Sequence, residues 1–583
     1  MGHDEGLPAA HGYEGMTMAD STVQTVDPVT TEIVRHALDA AADQMRVALC
    51  RTAFSPVIYE MTDFAAALYD PQVRLLAQGR SLPSFLGTLG FCVETAVERL
   101  GGPEVLEEGD VVVTTYSYDT GSHAQDLTII VPAFYEDELV GYAAIKAHHM
   151  DLGARDPYCT DTTDLFQEGL ILPGVRLYRA GELQDDLYRT LLANSRLPNL
   201  LAGDLHAQIG AAEIGLAGLF RLIEKYGLDD FRGYVERIFD HAETIARSVF
   251  TAIPDGTYTA QGAMDNDGVN HELIPFEVVV TIDGDRCVVD YTGAPDEVGG
   301  PINCPRPTTV SVTRMALMSF FEQAGSSPNE GLFRPIEILT RPGSLFEPRP
   351  PAPCFMYGWP GTVAAELIHK ALAPALPDQV PAGSARDLCA VVWWGTDENG
   401  EPWADGNDHL VGHGASSHGD AGAPLMIIAC SGIKNTPLEV FEARRPVMAE
   451  RLEFVPDTGG TGRFRGGLGV DAHYRALSDV FVTLPWDQTH SGGWGLSGGG
   501  SGRASALALR HPDGRVEPLE KCSALRIPAG CTLELFCGGG GGWGPAEERS
   551  VEAIESDLRE GYTSAEAARD AYPQLRGSDA TPG

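Results

Sequence analysis

The chain has 583 residues, enough for about three or four cores of ordinary size. Its 82 acidic residues against 41 basic ones, a net charge of −41, argue against a nucleic-acid backbone or an anionic membrane as partner. No run of about 18 apolar residues occurs, so no membrane-spanning helix is expected.

Residues 1–26 have neither a basic start nor an apolar stretch and read as a flexible tail. Eleven cysteines without a CxxC pair fit reduced thiols and a cytoplasmic setting. From Pro28 to Thr52, Ile33, Val34, Ala37, Leu38, Ala41, Met45, Ala48 and Leu49 fall at helical spacing behind Asp27 or Thr30 as N-cap, which predicts an amphipathic helix. DFAAALYDPQVRLLAQG, 63–79, predicts two strands around an Asp70-Pro71 turn. Residues 126–148 predict a hairpin turning at Glu136 and Asp137, with His148 roughly opposite Gln125. Helices are expected over 187–250, then a strand pair in HELIPFEVVVTIDGDRCVVDYTG. PINCPRP leads into an apolar helix, TVSVTRMALMSFFEQA, and 344–360 reads as a Pro-rich crossing loop. Beyond 458, glycine clusters alternate with strand-like runs such as CTLELF, and a single final helix over 550–572 starts at a Ser550 cap.

The fold expected is α+β, a β-rich multidomain chain. Its parts are a tail (1–26), a metal-site domain (27–250), a small β unit (251–300), a mixed middle domain (301–456), a glycine-rich β domain with a C-terminal helix (457–575) and a tail (576–583).

The chemistry-bearing residues gather at the open end of the 126–148 hairpin. GSHAQD supplies His123 and Asp126, and IKAHHMD supplies His148, His149 and Asp151. Adjacent strand residues point to opposite faces, so one histidine of the pair faces a pocket and the other does not. His148 shares its face with Lys146 and Ala144, whereas His149 lies with Ala147 and Ile145 on the more apolar side; this favours His148. Two imidazoles with one or two carboxylates suit Zn, Mn or Fe(II), and Asp63 adds an oxygen if its hairpin packs alongside. The alternative is a set of ordinary polar residues at strand ends.

Other motifs carry less. HGASSHGD (413–420), with His413, His418 and Asp420, reads as a tight turn, and GGTGRFRGGLG as a β-turn with Arg463 and Arg465 on the surface. GLSGG matches GxSxG at Ser497 but has no strand before it and no helix after it. Neither GxxxxGK[ST] nor a strand-GxGxxG-helix context occurs.

Taken in order, DPVTTEIVRHALDAAADQMRVALCRTAFSPVIYEMTDFAAALYD, GSHAQD, AHHMD, FQEGLILPGVRLYRAGEL, LANSRLPNLLAGDLHAQIGA, NEGLFRPIEI, KNTPLEVFE, GGTGRFRGGLG and CGGGGGWGP resemble the hydantoinase B/oxoprolinase family from about Asp27 to Tyr572. The resemblance implies a B-type subunit working in a hetero-oligomer with a larger A-type subunit, which uses ATP and Mg to phosphorylate an amide or carbonyl oxygen. It implies a divalent metal, Zn or Mn and possibly Fe, on Asp63, His123, Asp126 and His148, with Asp151 or Glu168 orienting or deprotonating a water. The activity implied is hydrolysis of a cyclic amide such as a hydantoin, 5-oxoproline or a lactam. The alternatives are a ketone carboxylase of the acetone or acetophenone type and a non-catalytic subunit with a degenerate site. The chain departs from its relatives in TTYSYDTGSH, where Tyr116 and Ser117 replace Asp-Pro and the double Gly before His123 is lost, and in ending AHHMDLG with Ala154.

Overall fold

The computed structural model describes residues 27–577, apart from 323–326 and 426–431. The tail expected over 1–26 and all but the first two residues of that expected over 576–583 lie outside the described residues.

The first sheet is built from β1 (Phe64–Tyr69), β2 (Leu75–Gln78), β3 (Val111–Thr114), β4 (Asp126–Tyr135), β5 (Glu138–His148), β6 (Val175–Arg179) and β7 (Glu182–Leu183), in the order β2-β1-β5-β4-β3-β6-β7. Both faces are covered, which explains the unbroken apolar run FAAALY. On one face Ala66, Leu68, Ile129, Ala143, Ile145 and Ala147 join a core with helices Pro28–Thr52 and Pro198–Tyr226. Those helices cross closely because Gly215 has no Cβ; one there would sit 2.3 Å from Met45 Sδ. On the other face Ala65, Ala67, Ile130, Tyr142 and Ala144 meet helix Leu89–Leu100 and a core shared with the rest of the chain.

The central hairpin turns at Glu136 and Asp137, both in left-handed conformation (φ 49° and 66°), as a two-residue loop matching strand twist requires. Its register differs from the expectation by one residue. Phe134 pairs with Leu139 but Ala133 pairs with Gly141, so Val140 bulges out and His148 comes opposite Asp126 rather than Gln125.

β8 (Gly256–Met264), β9 (Ile274–Asp283), β10 (Arg286–Asp290) and β11 (Ile336–Leu339) form a second sheet. A third takes β12 (Val391–Thr396), β13 (Pro402–Asn407), β16 (Val480–Leu484) and β19 (Cys522–Ile527). The fourth takes β14 (Val447–Val455), β15 (Gly469–Ala476), β17 (Ala506–Arg510), β18 (Val516–Leu519) and β20 (Thr532–Cys537). The divisions drawn at 300 and 456 therefore do not separate sheets: β11 pairs in parallel with β10, and the third sheet draws strands from both sides of 456.

The glycine clusters run side by side and bond backbone to backbone. Gly540 N–H donates to Gly467 O (3.0 Å) and Gly540 O accepts from Gly460 N–H (2.8 Å), while a Cβ on Gly540 would lie 1.9 Å from His413 O. Hydrogen bonding passes between neighbouring segments, and only glycine fits where they touch.

Two expectations are corrected. The final helix is two helices, Val551–Glu560 and Ala565–Ala571, because Gly561 adopts φ 74° and Ser564 starts a new helix by accepting from Ala567 N–H. Arg465 is buried, not on the surface: it pairs with Asp557 at 3.4 Å, and Asp557 also binds Arg549 (2.7 Å), which grips both oxygens of Asp420 at 2.7 and 2.8 Å. Asp420 therefore serves the packing of the C-terminal helices.

Candidate metal centre

Strand β5 lies between β1 and β4, and its last residue is His148. On one side His148 pairs with Asp126, the first residue of β4; on the other its N–H donates to Asp63 O at 3.1 Å. The turn before β4 brings His123 over the same strand ends. Three side-chain atoms thereby form a triangle: His123 Nε2 is 3.1 Å from both Asp126 Oδ1 and His148 Nδ1, and His148 Nδ1 is 3.0 Å from Asp126 Oδ1. All three residues are buried, Asp126 completely.

The surroundings define what this triangle presents. His123 Nδ1 lies 2.9 Å from Phe355 O, and a carbonyl only accepts, so Nδ1 carries a hydrogen and Nε2 is the ring nitrogen that faces the triangle. Tyr357 O–H donates to Asp126 Oδ2 at 2.9 Å, leaving Oδ1 for the triangle. Burial opposes ionisation of Asp126, but the two histidines outweigh it and hold the carboxyl well below its ordinary range. Rings of Tyr158, Phe355 and Tyr357 pack around His123 at centroid distances of 4.8–5.5 Å and enclose the site.

Asp63 Oδ1 is enclosed and has no hydrogen-bond partner among the described residues. Burial, together with the charges of Asp126 and Asp408, pushes its carboxyl up to about 7 against the pull of His148. A buried polar atom without a partner is costly. Two ring nitrogens and one carboxylate oxygen facing a common point form an N/O donor set that suits a divalent metal. Donors about 2.1 Å from a common ion stand about 3.0 Å apart at right angles and about 3.4 Å apart at the tetrahedral angle. The edges of the triangle match the right-angle case.

The two carboxylates expected to handle water are engaged elsewhere. Asp151 is buried in an ion pair with Arg196 (Nη1–Oδ1, 2.7 Å) and also accepts from the Arg196 backbone N–H. Glu168 accepts from the Thr162 hydroxyl (2.8 Å), Cys354 N–H (2.8 Å) and Phe355 N–H (2.9 Å). Burial pushes its carboxyl up to about 8 despite those donors. Glu168 thus positions the segment whose carbonyl orients His123. His149 points into the opposite core, where Nε2 lies 3.0 Å from Gln208 Oε1 and burial lowers its pKa to about 4. Lys146, on the His148 face, is fully buried and donates to Thr88 Oγ1 (2.7 Å) and Thr120 O (2.6 Å), bracing the turn before His123. In the departure ahead of that turn, Ser117 starts a short helix, Ser117–Thr120, and Tyr118 O–H donates to Ala352 O at 2.6 Å. Sequence reasoning missed Phe355, Tyr357 and Lys146; a backbone carbonyl leaves no motif, and Lys146 announces itself only as a charge inside an apolar strand.

Residues 27–546 match the family Hydantoinase B/oxoprolinase. The putative D-/L-hydantoinase B component of Pseudomonas sp. (strain NS671) is 30% identical, with 95% of this chain and 96% of that protein aligned. The caprolactamase β component of Pseudomonas jessenii is 29% identical, covering 94% of this chain and 96% of its own. The crystal structure of the ATP-dependent caprolactamase from P. jessenii superposes with a TM-score of 0.85 at 28% identity, over 94% of this chain and 96% of that one. A nucleotide-free acetone carboxylase shares the fold, with a TM-score of 0.83 at 17% identity over 94% of this chain and 79% of that one. The chain belongs to the hydantoinase B/oxoprolinase family.

Proposed function

We propose that this chain is the metal-dependent B-type component of an ATP-dependent cyclic-amide hydrolase, acting with an A-type subunit in a cytoplasmic hetero-oligomer. The observation that carries the reading is the convergence of His123 Nε2, Asp126 Oδ1 and His148 Nδ1, with Asp63, whose backbone O accepts from His148 N–H, holding a buried Oδ1 that has no partner among the described residues. These four residues would hold a divalent ion, Zn or Mn and possibly Fe. Such an ion supplies Lewis acidity and lowers the pKa of water.

A resonance-stabilised amide resists attack, and phosphorylation of its oxygen by ATP and Mg in the partner makes the ring carbon electrophilic. The residues here then do three things. The two histidines hold Asp126 ionised, and Tyr357 fixes its orientation through Oδ2. Phe355 O fixes the His123 tautomer. The rings of Tyr158, Phe355 and Tyr357 keep bulk water from an activated, hydrolysable substrate.

The test combines the purified chain with an A-type partner, ATP, and a panel of hydantoins, 5-oxoproline and lactams, following ADP release, ring opening and bound metal. Ring opening coupled to ADP release on at least one member is expected. ADP release without ring opening on any member would refute the hydrolase reading, and a requirement for bicarbonate in ADP release would select the ketone carboxylase instead.

A further inference from the structure

A cavity of about 1030 Å³ lies along β2, the edge strand of the first sheet, and none of the candidate metal ligands lines it. Its far wall is the helix Arg306–Glu322, which presents Arg314, Met315 and Met318. Arg314 and Met318 are four residues apart and so share a helix face. In a chain of net charge −41, this wall has the opposite sign. Among the described residues it carries four cationic side chains, Arg46, Arg80, Arg314 and Lys434, against two carboxylates, Glu94 and Glu330.

The cations stand at two ends. At one, Arg314 lies 3.6 Å from Glu330, and its Cζ is 4.5 Å from the centroid of the Phe333 ring. Glu330 is held in turn by Leu75 N–H, 3.4 Å from Oε2. The Arg314 guanidinium donates no hydrogen bond to any described residue, although burial lowers its pKa against the pull of Glu330. A cation drawn away from water ordinarily has its N–H donors taken up. At the other end, close backbone contacts gather the remaining three. A Cβ on Gly79 would lie 3.4 Å from Arg46 Cβ, one on Gly432 would lie 3.7 Å from Ser81 O, and Lys434 N–H donates to Met61 O at 2.9 Å. Asp43 accepts from Arg46 Nε and Nη2 at 2.8 and 3.3 Å and also feels the Arg80 charge, but Nη1 of Arg46 stays unused, and Arg80 and Lys434 form no ion pair with a described residue. Leu75 and Gln78, the first and last residues of β2, both line the cavity and stand about 10 Å apart at the rise of an extended strand. Leu75, Met315 and Met318 make the wall apolar between the charged ends.

We propose that this cavity binds a small organic dianion, two carboxylates joined by a short apolar chain, with one carboxylate on Arg314 and the other on Arg46, Arg80 and Lys434. A guanidinium meets a carboxylate with two parallel N–H···O bonds, which supplies the acceptors that Arg314 lacks. The two methionines adapt to a flexible chain between the ends. A positive cavity in an otherwise acidic molecule draws anions to itself and away from the rest of the surface. The inference does not rest on the hydrolase reading, since no residue of the metal centre takes part.

The test titrates the full-length chain calorimetrically at low ionic strength with succinate, glutarate, adipate, acetate and 3-phosphoglycerate. Wild type is compared with Arg314→Met, Lys434→Met and His148→Ala, and the melting temperature of each protein without ligand reports its folding. At least one dicarboxylate is expected to bind wild type at least about tenfold more tightly than acetate, and Arg314→Met and Lys434→Met are each expected to weaken it at least about tenfold. His148→Ala should bind it like wild type. Lys434 is exposed, so Lys434→Met decides the question if Arg314→Met does not fold. Three results would overturn the proposal: no dicarboxylate binding more tightly than acetate, unchanged affinity in both cation variants, or affinity lost in His148→Ala, which would put the carboxylates at the metal centre. Tighter binding of 3-phosphoglycerate than of every dicarboxylate would overturn the assignment of the second anionic group as a carboxylate.

Discussion

Glu168 is the residue through which the fold holds the proposed metal site without touching it, and its removal has a calculable effect. Glu168→Ala leaves Cys354 N–H, Phe355 N–H and the Thr162 hydroxyl without an acceptor in a buried place. Each unsatisfied buried donor costs about 1–3 kcal/mol, and entering water recovers part of that, so the loss of stability should be about 3–6 kcal/mol. Glu168→Gln keeps one acceptor oxygen and should lose about 1–2 kcal/mol at low pH. The pH dependence follows from the raised carboxyl of Glu168, about 8 in the fold against an ordinary 4.5. Between those values the unfolded chain ionises before the folded one, so wild-type stability from this group is complete below pH 4.5 and is lost as pH rises to about 8. Gln has nothing to titrate, so the gap between the two proteins should narrow over that window. Because Phe355 O orients His123, metal affinity should also weaken about 10–100-fold in Glu168→Ala. Urea unfolding at a series of pH values and calorimetric metal titration measure both. A Glu168→Ala protein that loses less than about 1 kcal/mol and binds metal like wild type would refute the argument.

Three further outcomes are expected. Tyr357→Phe removes the donor to Asp126 Oδ2 and should cost about 1–3 kcal/mol, with weaker metal binding by the same titration. Metal at 100 times its dissociation constant should stabilise the chain by about 2.7 kcal/mol, seen as a higher melting temperature that chelator reverses and His148→Ala abolishes. Gly540→Ala forces a Cβ against His413 O and disturbs bonds to Gly467 and Gly460, so it should destabilise by more than about 3 kcal/mol in denaturant unfolding while leaving the substrate preference of any surviving fold unchanged.

Elements whose identity depends on local pattern were legible. The helix Pro28–Thr52 follows from its 3.6-residue spacing and Asp27 cap, and the central hairpin from an acidic pair between apolar runs. What escaped depends on long-range geometry. In ELVGYAAIKAH both faces are buried, so the apolar pattern does not change where Val140 bulges, and the one-residue register shift has no sequence signal. Nor could pattern show that β11 joins β10, or that β12 and β13 join strands beyond 456, because sheet membership is set by contacts between distant segments.

The site divides in the same way. Strand alternation separates His148 from His149, because period two puts Lys146 with the first and Ala147 with the second, and the structure places them on opposite faces. The carboxylates are different, since an aspartate reads alike whether it is paired or bare. ADGND holds two of them three residues apart. Asp405 is held by Arg445 at 2.7 Å, from a helix end some forty positions on, whereas Asp408 meets no side-chain donor among the described residues. Asp151 stands beside the histidines in sequence and Glu168 in a stretch that carries the family resemblance, and each is satisfied by a donor from elsewhere in the chain. For an acidic residue in a chain carrying 82 of them, proximity in sequence is weak evidence of a role. The discriminating property is how the fold buries and partners each carboxylate, as it leaves Asp63 Oδ1 buried without a partner among the described residues, and that is a property of the assembled sheets.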